Sequence, residues 1–298
     1  MLVLKKKQDL ARKPMRTTDP QRPTKSDKIA QILMRQERAV LKCGTRCFLD
    51  VEQYSKPSTD SGIKGRIQGF LKQYGWLYYA LVSLIGPAWG DARTRRMRRR
   101  MVSKYGDADV ILNLGSGPTV VMGRHDIINV DLFPFKEVDI VADAADLPMK
   151  SESVDLAINI AMLEHVPDPA AIVDEMHRVL KHDGEFLCFV PLMAPYHAAP
   201  HDYHRWTVPG AELLFSKFDE VKTFVSPGPT SGMLWTFQEW LAVLLSFGSR
   251  KIHDVLLLLI MVLTFPIKFL DELLCRHPNA HTVALGFFVT GTKNSSQQ

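Results

Sequence analysis

A doubly wound, mostly parallel α/β sheet is the fold this sequence predicts, and three observations carry the prediction. Short apolar runs recur through the middle of the chain, at residues 110–114, 125–132, 138–143, 153–160 and 184–191, each about the length of a buried strand. Between the last two, Ile172, Val173, Met176, Val179 and Leu180 repeat at helical spacing behind Asp168 and Pro169, which open the helix, and ahead of Gly184, which is expected to end it. The first run breaks at Gly115-Ser116-Gly117, and a glycine turn closing a buried strand is where such sheets receive a ligand. A helix is expected after that turn, its free N–H groups facing the ligand.

Composition is that of a globular chain: 298 residues, 46% hydrophobic and 23% charged. The net charge of +5 is concentrated in the first 30 residues and between Arg93 and Arg100, so it argues for local anionic contacts rather than a nucleic-acid surface. Lys5, Lys6 and Lys7 are followed by polar sequence rather than an apolar core, and only four cysteines occur, which together predict a reducing cytosol. Cys43 and Cys47 have no second pair nearby, so no zinc site is assigned.

Residues 1–28 are basic and proline-punctuated and predict a disordered arm. Residues 29–105 form a helical region: one helix over 29–41, a polar loop over 54–66, aromatic helices over 67–85 packed on the main domain, and a basic helix carrying Arg93 to Arg100 whose arginines face solvent or phosphate. The core domain spans residues 106–233. Its second strand ends in Asp131, a carboxylate placed to accept hydrogen bonds from ribose hydroxyls; the distance from Gly117 is shorter than the usual 20 or so residues, so the helix between them must be very short. A third strand ends at Asp143, a fourth covers 153–160 and a fifth 184–191. A helix over 208–218 and a sixth strand over 221–225 follow.

These residues resemble the class I S-adenosylmethionine-dependent methyltransferases, the type 11 group near the ubiquinone and menaquinone enzymes, over about residues 110–218. The ordered set L-G-S-G, V-D-L, A-D-A-A-D-L-P, S-V-D-L-A-I-N-I-A-M-L-E-H-V-P-D-P and R-V-L-K-H-D-G carries the likeness. The resemblance implies a Rossmann-like doubly wound sheet with an antiparallel last strand at its edge, and S-adenosyl-L-methionine as cofactor. By position, Gly115, Ser116 and Gly117 would line the methionine moiety, Asp131 and Leu132 the ribose, Asp143 and Ala144 the adenine, and Ala161 and His165 the methyl-donor pocket. Asn113 stands where the family often has an acid, and Thr119 replaces its third glycine.

Beyond the fifth strand, residues 195–207 read P-Y-H-A-A-P-H-D-Y-H-R-W-T. His197, His201 and Asp202 are the candidate catalytic groups, and Tyr203, His204, Arg205 and Trp206 the candidate substrate contacts; the same residues also suit a hydrogen-bonded loop or a metal-ligand set, and no metal is assigned. Related polysaccharide methyltransferases show a similar H-x-x-P-x-D-x-x-R-x-T pattern, which implies a glycan or lipid-linked acceptor.

Residues 234–278 form an apolar insertion. Two helical segments, 234–247 and 255–270, flank a polar hinge; the second, broken by Pro266 and Lys268, falls short of the roughly 20 residues a spanning helix needs. A re-entrant or interfacial hairpin is expected, with Trp235 and Trp240 at headgroup depth and Lys251, Lys268 and Arg276 near anionic lipid; burial in a subdomain or a homo-oligomer interface is the competing reading. Residues 279–298 supply the last strand and a tail. The expected protein is therefore an O-methylating enzyme for a hydrophobic, lipid-linked or glycan acceptor, cytoplasmic and peripheral on the inner face of a membrane. A nicotinamide-dependent oxidoreductase and a non-catalytic membrane-associated binding protein are the alternatives.

Overall fold

The computed structural model describes residues 23–34, 40–42, 45–49, 84–198 and 200–294. The first helix, α1 (Lys25–Ile32), starts inside the expected disordered arm because Thr24 and Asp27 form a reciprocal capping box that satisfies the free donors of its first turn. It buries Ile29 and Ile32, and Leu33 then turns extended and bridges Met149. The single helix expected over 29–41 is thus cut short; β1 (Val40–Lys42) and β2 (Thr45–Cys47) follow as an antiparallel pair. Cys47 is buried in β2, whereas Cys43, the 54–66 loop and all but the last two residues of the aromatic helices expected over 67–85 lie outside the described residues.

Asp91 caps α2 (Ala92–Ser103) by accepting from the Arg93 and Thr94 N–H groups. Its arginines do not all face solvent. Arg95 pairs with Glu272 at 2.7 Å, Arg93 donates to the Cys275 carbonyl, and Arg98 lies 4.2 Å over the Phe288 ring, where burial lowers its pKa.

The sheet proper contains β3 (Ile111–Leu114), β4 (Ile128–Asp131), β5 (Ile140–Val141), β6 (Val154–Ile160), β7 (Leu180–Pro191), β8 (Asp219–Val225) and β9 (Gly286–Thr292). Its order is β1-β2-β5-β4-β3-β6-β7-β9-β8; β3 to β7 run parallel, and β9 runs antiparallel to both β7 and β8. The last strand is therefore not at the edge. Phe287, Phe288 and Val289 are all buried and need a neighbour on each side, while the half-exposed D-E-V-K-T-F-V of β8 tolerates the rim.

No α-helix follows the glycine turn. The chain makes only a short 3₁₀ turn (Val121–Gly123) before β4, so the expected helix N–H groups are not at that position. The next helix, α3 (Pro169–Val179), is capped by Asp168 as expected but stops at Leu180; Gly184 lies inside β7, where a Cβ would come 2.8 Å from the Lys181 carbonyl. One core packs α1, α3 and α4 (Val208–Leu214) on one face of the sheet, and a second packs α2 on the other, with Trp235 against it.

The insertion starts earlier than residue 234. Its first helix, α5 (Pro229–Leu245), is followed by α6 (Arg250–Thr264), a 3₁₀ segment (Phe265–Leu270) and α7 (Asp271–Leu274). Pro266 sits at the start of the 3₁₀ segment and does not interrupt it, so Arg250–Leu274 is one 25-residue helical stretch of mean hydropathy 2.0, long and apolar enough to cross a membrane by length and composition. Lys268 is not near lipid: it is buried and donates to the Gly86 carbonyl at 2.7 Å. Asp271 is also buried, and it accepts from the N–H groups of Gly228, Thr230 and Ser231 and from the Ser231 hydroxyl at 2.6–3.1 Å. One carboxylate thus closes the end of the insertion onto the N-terminus of its first helix.

Asp271→Ala should cost about 3 kcal/mol or more, because four buried donors lose their acceptor at once. Denaturant unfolding checks this against Glu220→Ala, an exposed site expected to change stability by less than about 0.5 kcal/mol.

Candidate functional site

The site is built at the carboxyl ends of the parallel strands. As β3 ends at Leu114, Gly115 takes φ +66°, and its N–H donates to the Val130 carbonyl at 2.9 Å. A Cβ there would stand 2.5 Å from the Met162 sulfur, so only glycine lets the β3 and β6 ends approach this closely. Gly117, at φ +54°, faces open space and donates its N–H to the Asp131 carboxylate at 2.7 Å. The other Asp131 oxygen accepts from the Phe133 N–H at 2.9 Å. Burial raises the Asp131 pKa against the lowering effect of those N–H groups.

These residues open onto a cavity of about 280 Å³, near the lower limit of about 300 Å³ for small-molecule pockets. Eight of the nine residues expected to hold a cofactor line it: Gly115, Gly117, Asp131, Leu132, Asp143, Ala144, Ala161 and His165. Ser116 does not; it is buried and its hydroxyl donates to the Gly117 carbonyl. Asn113 also stays out, paired with Asn129 inside the sheet at 3.0 Å. Ala161 holds φ +54°, a left-handed conformation rare outside glycine, and this reversal turns the chain from β6 into the 3₁₀ turn Leu163–His165 at the cavity wall.

The 195–207 loop sorts differently from its sequence reading. Arg205 donates to the Ala194, His204 and Pro195 carbonyls and to both oxygens of Asp202, leaving its guanidinium committed to the loop. Asp202 is held by that guanidinium at a pKa of about 2, and it also accepts from the His197 N–H at 2.8 Å. The pair braces the loop from within. Trp206 is 8% exposed and packs within the main core. Tyr203 and His201 are exposed, His204 approaches the Pro167 carbonyl at 3.3 Å, and the His201 carbonyl accepts from His165 Nδ1 at 2.6 Å.

His197 faces inward. Its ring lies 5.2 Å from that of His165 and 5.4 Å from that of Trp235, which belongs to α5 and therefore faces the site rather than a headgroup layer. Burial disfavours the His197 imidazolium, but Glu164, the Pro195 carbonyl and Asp202 outweigh it and raise the pKa above the usual value. Glu164 is 0% exposed, with its carboxylate 3.8 Å from His197 Nε2 and 3.9 Å from His165 Nε2. Glu164 and Trp235 were not among the site residues expected from the sequence. For Glu164 a signal existed: it is the sole acid among residues 157–167, in a stretch whose burial leaves little reason for one.

Residues 122–188 match a family model described as a methyltransferase domain. No curated protein sequence matches the chain. Among solved structures, phosphoethanolamine N-methyltransferase 2 of Haemonchus contortus with S-adenosyl-L-methionine aligns at 15% identity and a TM-score of 0.43, covering 67% of this chain and 53% of that one. A possible histamine N-methyltransferase of Thermotoga maritima aligns at 14% identity and 0.41, covering 76% and 98%. Geranyl diphosphate C-methyltransferase of Streptomyces coelicolor aligns at 12% and 0.41, covering 67% and 77%. The chain thus spans about half the length of the first of these. Its own strand order, with β9 antiparallel between β7 and β8, is that of a Rossmann-like methyltransferase fold.

Gly115→Ala should destabilise the chain more than Gly117→Ala. Both pay roughly 1–3 kcal/mol for a left-handed residue, but only Gly115→Ala also collides with Met162. Unfolding midpoints of the two variants check the order.

Proposed function

We propose that this chain is an S-adenosylmethionine-dependent methyltransferase that methylates a hydroxyl of a hydrophobic, lipid-linked or glycan acceptor. The observation that carries the reading is Asp131, fixed between the Gly117 and Phe133 N–H groups at the wall of the strand-end cavity, beside the turn the family model's segment adjoins. Bound S-adenosylmethionine supplies a methyl group already activated as a sulfonium. The chain's residues need only bind, orient and remove one proton.

Asp131 offers its remaining lone pairs to the ribose hydroxyls, Asp143 and Ala144 form the adenine side, and Gly115 and Gly117 leave room for the methionine moiety. At the far end, His165 on the wall and His197 beside it stand where an acceptor oxygen would enter, and Glu164 faces both. Trp235 gives that entrance an apolar side, which suits an acceptor with a hydrocarbon or sugar face.

The second part of the proposal is that the insertion seats the enzyme on a membrane surface. Its outward residues include Trp240, Val243, Phe247, Leu259 and Leu263, each more than half exposed. Several such side chains, at roughly 1.5–3 kcal/mol apiece when buried, outweigh basic contacts of about 1 kcal/mol that salt screens.

Calorimetry should find S-adenosylmethionine binding by the wild type and binding weakened about tenfold or more in Asp131→Ala with circular dichroism unchanged. Tight NAD binding with no response to the methyl donor would replace the reading with an oxidoreductase. Fractionation should release the chain from membranes with detergent more readily than with salt; a full-length chain monodisperse without detergent would assign the apolar face to protein contact instead.

A further inference from the structure

The sequence reading assigns no metal, yet two histidines and a buried glutamate converge at the entrance to the cavity. We propose that Glu164, His165 and His197 form a binding site for one divalent first-row transition ion, of the manganese, iron, cobalt or zinc class. One ligand atom from each lies within 4.8 Å of the others. Ligand atoms each about 2.1 Å from a common ion stand about 3.4–3.6 Å apart in tetrahedral or trigonal geometry, so the Glu164 gaps of 3.8 and 3.9 Å and the gap between the two rings all close by small side-chain rotations when an ion enters.

The orientation of both rings is a separate observation. His165 Nδ1 lies 2.6 Å from the His201 carbonyl, and His197 Nδ1 lies 2.8 Å from the Pro195 carbonyl. A carbonyl can only accept, so each Nδ1 carries the proton, and the neutral form of each ring turns an Nε2 lone pair toward Glu164. Backbone carbonyls that fix the far nitrogen are the usual support of metal-bound imidazoles. Glu164 is the third observation: it is 0% exposed, and neither carboxylate oxygen has a hydrogen-bond partner. A buried carboxylate without donors is costly unless a cation meets it. Two imidazoles among three ligands favour a transition ion over magnesium or calcium, which prefer all-oxygen shells.

Three protein ligands leave positions open, and His165 places them at the cavity wall. The binding claim stands on this geometry alone; its use rests on the methyl transfer proposed above. There, the ion would draw electron density from the acceptor oxygen so that its proton leaves to water. The oxygen–carbon bond then forms as the methyl carbon–sulfur bond breaks, leaving a neutral thioether.

The test titrates metal-free full-length protein with Co²⁺, read by visible absorption and calorimetry, and measures S-adenosylmethionine affinity in parallel. One Co²⁺ per chain is expected, with affinity falling about tenfold or more in Glu164→Gln and in His197→Ala, and unchanged in His281→Ala, an exposed histidine whose ring meets the Pro278 carbonyl. If Glu164→Gln does not fold, His197→Ala, on a half-exposed loop position, decides. Folded wild type that binds S-adenosylmethionine but no Co²⁺, or equal Co²⁺ affinity across all variants, overturns the metal site and leaves the methyltransferase reading standing. Co²⁺ binding without S-adenosylmethionine binding does the reverse.

Discussion

The Tyr203 and His204 N–H groups donate to the Glu164 carbonyl at 2.7 and 3.4 Å, and the histidine-lined end of the cavity depends on this tie. It joins two segments with different origins. The Leu163–His165 turn is the continuation of β6, aimed by the left-handed Ala161; the 195–207 loop is the continuation of β7, one strand along. Parallel neighbours end on the same side of a sheet, so their trailing segments can meet above it without any long connection. The Asp202–Arg205 pair stiffens the loop from within, and the His197 N–H donates to Asp202, so the tie and the brace together set the His197 ring opposite Glu164.

Four buried carboxylates among the described residues divide by what their oxygens touch. Asp271 meets four donors, and Asp131 meets two main-chain N–H groups. Asp202 meets a guanidinium, which lowers its pKa to about 2. Each is satisfied within the fold, and a satisfied buried carboxylate is explained by the structure it holds. Glu164 is buried as deeply but accepts no hydrogen bond; only the His197 and His165 rings face its carboxylate, at 3.8 and 3.9 Å. That contrast, more than the presence of histidines nearby, is what sets Glu164 apart from the acids that hold the architecture and motivates the proposed ion.

The legible part of the fold was the part whose signal is local. Apolar runs gave β3, β4, β6 and β7, and Asp168-Pro169 gave the start of α3, because burial on both faces and helix capping act within a few residues. The losses were non-local. Whether β9 lies at the rim or inside depends on how amphipathic β8 is by comparison, and whether Gly184 ends a helix or kinks a strand depends on Lys181 packing against it. The 195–207 loop shows the limit most clearly: Arg205 and Trp206 have the chemistry of substrate contacts, and only the fold reveals that one is spent on carbonyls and the other on the core. Glu164 was visible as an isolated acid, but its lack of partners is a property of three dimensions.

The insertion is mechanically part of the site and not an appendage. Gly232 on α5 packs so closely under the segment leading to β9 that a Cβ would lie 2.6 Å from the Val283 carbonyl, and Asp271 locks the same helix at its N-terminus. With both anchors fixed, Trp235 is held over His197 by its inward face while Trp240, more than half exposed, turns outward from the same helix. A displacement of α5 at its outer surface would therefore be felt at the His197 ring, since the close packing beneath the helix leaves no slack to absorb it. On the proposed reading, the membrane that receives the outer face and the acceptor that enters beside Trp235 share one rigid helix, and docking would place the acceptor entrance at a fixed height above the lipid.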